Sequence, residues 1–333
     1  MSPATRHSVL FCTTFLLALP SALPAPTKRT ECTSPVIRRE WNTLSQSQRD
    51  AFHAAVKCLQ NKPSVLDTNG TSKSLYDDYT YIHLQKEQTV HKVAAFYPWH
   101  RYFTVMREKA SSLHRFYRSY APMFLQDMSE CGYTDPMPYW DWTRNANSVS
   151  EYRSAPIFDP DSGFGGPSTA EGNNTAVCVD NGPYSGMQVN VPEPHCLQRT
   201  FDVTSDMLGN FTSSMVQSIM EYPDFIHFWN NSELMPHDLV HGSIGGDLRQ
   251  GYSPNEPLFF IHHSQIDRLW TRWQSRNETR LSEYQGNTVQ NTTNLNASLQ
   301  DTMQFLGLGE DRSVESLMDT LSNGLCYKYD DDE

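Results

Sequence analysis

The stretch Glu256–Trp273 reads EPLFFIHHSQIDRLWTRW, and its spacing decides both fold class and chemistry. Apolar residues recur three and four apart, and Pro257 can open a helix. On that helix Phe259, His263 and Asp267 follow at intervals of four, along one face. His262 points about 100° away from His263. A metal on one side of the helix can take only one of the two, and spacing alone leaves open which.

Helical patterning extends through much of the chain. Residues 32–60 carry it, with Ser45 as a cap. Residues 75–115 carry it with a break near FYPWH, and it returns at 203–222, 231–241 and 257–276. From Asn145 to Pro194 the texture turns to Gly, Pro, Asn and Ser, which reads as a long irregular excursion. The strand signal is thin and no repeat is present. The chain therefore reads as one mostly helical domain.

Histidines mark the chemistry. His237 and His241, in MPHDLVHG, lie at i and i+4, about 6 Å apart along a helix and on one face. His83, His91 and His100 fall in a second group. His83 and His91 are too far apart, about 12 Å of rise, to meet one ion from a straight helix. The chain must bend between them, which puts His91 in a connection, and Pro98 suits the opening of the helix carrying His100. His263 completes the other group. Two sets of three imidazoles without carboxylates suit copper, zinc or iron rather than magnesium or calcium. Three ligands per ion leave a position open, as catalysis or gas binding requires. His53, His114, His195 and His227 lack partners at ligand spacing and read as structural or exposed. Asp141, in YWDW, reads as the acceptor for buried donors, and the terminal DDDE as a solvated tail.

Composition narrows the setting. Residues 1–29 read as a secretory signal with a short pro-segment: Arg6, the apolar run VLFCTTFLLAL, small residues for cleavage, and a dibasic Lys28-Arg29. The run is too short to span a bilayer, so no membrane anchor is expected. Removing that segment leaves 23 basic residues against 38 acidic ones, near −15, which disfavours nucleic acid and anionic membranes as partners. Six cysteines remain (Cys32, Cys58, Cys131, Cys178, Cys196, Cys326), enough for three disulfides in any of fifteen pairings. Asn69, Asn173, Asn210, Asn230, Asn277, Asn291 and Asn296 stand in glycosylation sequons. Together these point to a secreted, N-glycosylated protein.

FYPWHRYF, MPYWDW, HDLVHG and EPLFFIHHSQIDRLW resemble the copper A and copper B motifs of the type-3 copper family: tyrosinases, catechol oxidases and haemocyanins. The resemblance covers roughly residues 32–329 and is closest to short secreted fungal enzymes. CYKY at Cys326–Tyr329 resembles the tyrosine motif closing the family's core, with Arg38 or Arg39 as its partner. The resemblance implies a four-helix-bundle core with long loops, holding two copper ions on His83, His91, His100 and on His237, His241, His263. It makes the second of the adjacent histidines, His263, the ligand, with His262 behind it. The catalytic domain would be 30–333, with no C-terminal shielding domain. Cys32–Cys326 would join chain ends that the family places together; Cys178–Cys196 would close the excursion, leaving Cys58–Cys131.

The implied activity is dioxygen-dependent oxidation of o-diphenols to o-quinones, with monophenol hydroxylation as an extension. Phe259 resembles the aromatic gate above copper A, and Gly242 would leave room for a substituted ring in an apolar mouth. Glu233, four before His237, resembles the carboxylate that holds an activating water. Asp238 stands where the hydroxylating arrangement has Asn, and repulsion between it and Glu233 would leave one protonated. Thr89 replaces the cysteine that longer fungal tyrosinases bond to a histidine. Ser111–Phe124 departs from the family's pattern and reads either as an inserted segment or as a retained short intron. Two other readings compete: a haemocyanin-like dioxygen carrier without catalysis, and a tailoring enzyme of secondary metabolism, with another metal or with its phenol carried on a peptide.

Overall fold

The computed structural model describes Met1 and residues 32–108, 128, 131–168, 177–322 and 324–331. The expected signal at 1–29, Ser111–Phe124, His114 and the sequon at Asn173 lie outside the described residues.

The chain's two described ends meet. Strand β1 (Val36–Arg38) pairs in parallel with β2 (Tyr327–Tyr329), Val36 opposite Tyr327 and Arg38 opposite Tyr329. The Cys32–Cys326 disulfide lies beside the pair. Residues 32–40 are thus not helical, against the periodicity, and only a 3-10 turn at Trp41–Thr43 precedes the first α-helix. The reason is a strand partner almost three hundred residues away, which no local window contains. Helix α1 (Gln46–Asn61) begins at Ser45, whose hydroxyl and Gln48 form a capping box.

Helix α2 (Leu75–Val90) is capped in the same way by Ser74 and Asp77, and ends at His91, whose backbone is extended. After a short turn, α3 (Phe96–Glu108) carries His100. The region 203–244 is more broken than its pattern suggests: α4 (Ser213–Met220), α5 (Phe225–Ser232), a π turn (Glu233–His237) and α6 (Asp238–Ile244). Pro236, which has no N–H to give, sits inside the π turn, where the Asp238 N–H reaches five residues back to the Glu233 carbonyl. Helix α7 (Leu258–Ser275) is buried along most of its length.

Asp267 fastens α7 to the rest. Its carboxylate accepts from Arg101 at 2.5 Å, from Tyr327 and Tyr329 at 2.6 Å each, and from Arg38 at 3.4 Å. Arg38, not Arg39, is the partner of the tyrosine motif; its guanidinium lies 3.6 Å from the Tyr327 ring centre. Burial works to raise the Asp267 pKa, but the charges of Arg101 and Arg38 outweigh it and hold it below the usual range.

The Gly/Pro-rich excursion is ordered where described. Short strands flank the Cys178–Cys196 disulfide, and Arg199 donates to both Glu256 oxygens at 2.8 and 2.9 Å and to the carbonyls of Phe164 and Gly165. The excursion is thereby tied to the start of α7. Cys58 pairs with Cys131, so all three disulfides fall as expected. The acidic end is not a free tail: Asp330 accepts from Tyr139 and from the Glu40 N–H, and Asp331 pairs with Arg268. Residues 332 and 333 lie outside the described residues.

Candidate metal centre

Two sets of imidazoles converge between α2, α3, α6 and α7. The ligand atoms of His83, His91 and His100 lie within 4.8 Å of one another, as do those of His237, His241, His262 and His263. The sets face each other: His100 stacks on His263 with ring centres 4.4 Å apart, and His91 faces His237 at 6.1 Å.

Proton positions follow from backbone acceptors. Nδ1 of His83 meets the Gly251 carbonyl at 2.7 Å, and Nδ1 of His100 meets that of Phe96 at 2.7 Å. His91 and His237 meet the carbonyls four residues back, Glu87 and Glu233, at 3.3 Å each; His241 meets Leu248 at 2.5 Å. A carbonyl only accepts, so each Nδ1 bears the hydrogen and each Nε2 keeps its lone pair. The lone pairs of His83 and His100 point at each other across 3.4 Å, and those of His237 and His241 point at His263 Nε2, 3.4 and 3.2 Å away. Opposed lone pairs at such distances repel, and a cation between them removes the conflict. Three imidazole nitrogens per set, with backbone oxygens fixing the tautomer of five of the six rings, are donors suited to a copper or zinc ion.

Charge regulation agrees for five of the six rings. Burial pushes His83 down to about 3, and lowers His100, His241 and His263 well below the ordinary value, with neighbouring histidines adding to it. His237 is also lowered by burial. In His91 burial acts the same way, but the Glu87 carboxylate, 3.1 Å from Nδ1, outweighs it and raises the pKa.

The adjacent pair is separated by hydrogen bonding. His262 Nδ1 accepts from Trp142 Nε1 at 3.2 Å, which engages that lone pair and leaves the hydrogen on Nε2. His263 Nδ1 is buried without a partner, and its Nε2 is the atom inside the cluster. Phe259 is fully buried, 4.1 Å from the His263 ring and 5.0 Å from that of His83.

An open cleft of about 300 Å³ leads to the histidines. It is polar, lined by His83, His91, His237 and His241 together with Glu87, Lys92, Asp238 and Arg249, among others. The expected apolar mouth is therefore corrected. Phe259 is not in the lining, and the space beside Gly242 is filled: a Cβ there would meet Met207 Cε at 3.2 Å and Arg249 at 3.5 Å. Both neighbours come from segments that spacing does not connect to Gly242.

Glu233 is buried under the cleft. Its Oε1 accepts from the Lys92 N–H at 2.7 Å and its Oε2 from Trp229 Nε1 at 2.6 Å. Burial pushes its pKa up to about 7, and Asp238 is the smallest of the contributions, so mutual repulsion is not the main cause. Asp238 instead sits 3.0 Å from His237 Nδ1; burial would raise its pKa, but that contact outweighs burial and lowers it.

Glu87 and Lys92 escaped the sequence reading. Glu87 was findable, since it precedes His91 by one helical turn. Lys92 carries no spacing signal. Of the other histidines read as structural or exposed, three are described: His53 bonds Tyr184 at 2.8 Å, His195 bonds Asp247 at 2.9 Å, and exposed His227 bonds Asp224 at 2.8 Å.

A family profile described as the common central domain of tyrosinase matches residues 73–276. Tyrosinase ustQ of Aspergillus flavus is 33% identical over 337 residues, covering 98% of this chain and 88% of the relative. The N-acetyl-6-hydroxytryptophan oxidase ivoB of Emericella nidulans is 27% identical over 360 residues, covering 88% and 92%. Among solved structures, a variant of the polyphenol oxidase from Thermothelomyces thermophila superposes with a TM-score of 0.75 at 25% identity, over 90% of each chain.

Proposed function

This chain belongs to the tyrosinase family and is a copper-dependent oxidoreductase with the helical type-3 copper fold; from that premise we propose that it oxidises o-diphenols to o-quinones with dioxygen. The observation that carries the reading is the convergence of the ligand atoms of His83, His91 and His100, and of those of His237, His241 and His263, to within 4.8 Å inside each set. His83, His91 and His100 would hold one copper; His237, His241 and His263 the other. A copper pair supplies two one-electron couples, which matches the two electrons lost when a catechol becomes a quinone.

The protein's own groups prepare the site. Backbone carbonyls hold five rings in the ligating tautomer before any metal arrives, so little reorganisation is needed. Trp142 removes His262 from competition for the metal. Glu233 is a candidate proton acceptor for monophenols, because burial gives it a pKa near that of a base working at neutral pH. Both of its oxygens already accept strong bonds, however, so diphenol oxidation is the primary activity here. The polar cleft favours a substrate with charged or hydrogen-bonding substituents over a bare ring. The tailoring reading shares this support: the Emericella relative is named for oxidising an N-acetylated hydroxy-amino acid.

Three disulfides fit an oxidising, extracellular setting, and no helix among the described residues is long and apolar enough to cross a membrane. The test is metal analysis of protein loaded with copper, together with dioxygen uptake and quinone absorbance on 4-methylcatechol. Two coppers per chain and quinone formation are expected. One ion, zinc alone, or metal without turnover overturns the reading.

A further inference from the structure

The turn between α2 and α3 holds a side chain in a backbone conformation that suits glycine. Lys92, directly after His91, has φ +53°. Both its backbone groups are tied. The N–H donates to buried Glu233 Oε1 at 2.7 Å, and the carbonyl accepts from Asn287 Nδ2 at 2.9 Å. Asn287 also takes the Ala94 N–H on its own carbonyl at 2.9 Å. The structure thus over-determines where the lysine stem leaves the chain, and strained residues held in this way mark functional positions.

The side chain is exposed and lines the cleft. Other charges at the mouth are engaged. Glu87 lies on His91 Nδ1 and Asp238 on His237 Nδ1; Arg249 donates to the Gly242 carbonyl and lies 3.6 Å from Asp202. The Lys92 ammonium has no acidic partner among the described residues. In a chain of formal charge −12, a free cation beside the histidines is a local reversal of sign.

We propose that Lys92 is a specificity-determining residue that binds a carboxylate on a substrate whose phenolic ring occupies the cleft. The favoured class is then aromatic acids: a phenol or catechol bearing a carboxylate on a short chain. The assignment rests on the oxidase reading for its chemistry, but the charge recognition is separable from it.

The test uses copper-loaded full-length enzyme with 3-(3,4-dihydroxyphenyl)propanoate, 4-methylcatechol and dopamine. Lys92→Met is expected to raise the KM of the acid relative to 4-methylcatechol about fivefold. Lys92→Glu should raise it about 20-fold and lower that of dopamine. The kcat ratios should move less than about twofold, and Lys92→Arg should restore the wild-type ranking. The wild-type preference for the acid should shrink with added salt. Equal changes for all three catechols, or none in Lys92→Glu, overturn the proposal. If the wild type oxidises none of them, the oxidase reading fails. Calorimetric binding then decides on Lys92: benzoate should bind more tightly than benzamide, and Lys92→Glu should abolish the difference. Its persistence in that variant sinks the assignment.

Discussion

The two sets of histidines are held by different means. In the first, His83, His91 and His100 each have Nδ1 on a backbone carbonyl, and His91 also meets the Glu87 carboxylate. In the second, His237 and His241 are anchored alike, but His263 Nδ1 has no partner among the described residues. Its ring is placed by packing against Phe259 and His100, and by the position of α7. That position depends on Asp267, one turn along the same face, and so on Arg38, Arg101 and the two tyrosines. The first set has every ring fixed by a hydrogen bond, one of them to the remote Gly251 carbonyl. The second draws its geometry from the closure of the whole fold.

The comparison fails most visibly at the adjacent histidines. His263→Ala should lose the second copper and essentially all oxidase activity. His262→Ala should keep two coppers per chain, and lose about 2 kcal/mol because Trp142 Nε1 is left buried and unpaired. Metal quantification with thermal melting separates them, and copper loss confined to the His262 variant would reverse the assignment.

Asp267→Asn comes next. It leaves Arg38 and Arg101 without their buried counter-charge, at a cost of about 4 kcal/mol. Copper should leave the second set before the first as the variant is titrated with a chelator. Because the Asp267 pKa is depressed on folding, its contribution is present above the unfolded carboxylate value of about 4 and is lost as pH falls through the folded one. The variant should therefore show a flatter loss of stability at acid pH. Simultaneous loss from both sets would show that they share one support.

The smallest effect compares the two carboxylates on ligand histidines. Glu87→Gln should weaken copper at the first set about tenfold, and Asp238→Asn should do the same at the second. If Asp238→Asn also raises phenol hydroxylation relative to catechol oxidation, its charge, rather than its hold on His237, limits the Glu233 base. Copper competition assays and the ratio of initial rates on a matched phenol and catechol report these separately.

The sequence by itself determined the fold class, the two groups of imidazoles, and the break between His83 and His91. Each follows from helical geometry acting over a few residues. The cap at Ser45 was legible for the same reason. Resemblance to the copper motifs then chose His263 over His262, which spacing could not do. Only the tertiary structure gave the physical ground for that choice, because Trp142 lies 120 residues away and is brought to His262 by folding. The strand at Val36–Arg38, the filled space at Gly242 and the strained turn at Lys92 were hidden for a common reason. Each is set by partners remote in the chain: Tyr327–Tyr329, Met207, and Glu233 with Asn287. Periodicity records what a residue does within its own helix. The polarity of the cleft depends on which distant side chains arrive there, and only the folded chain decides that.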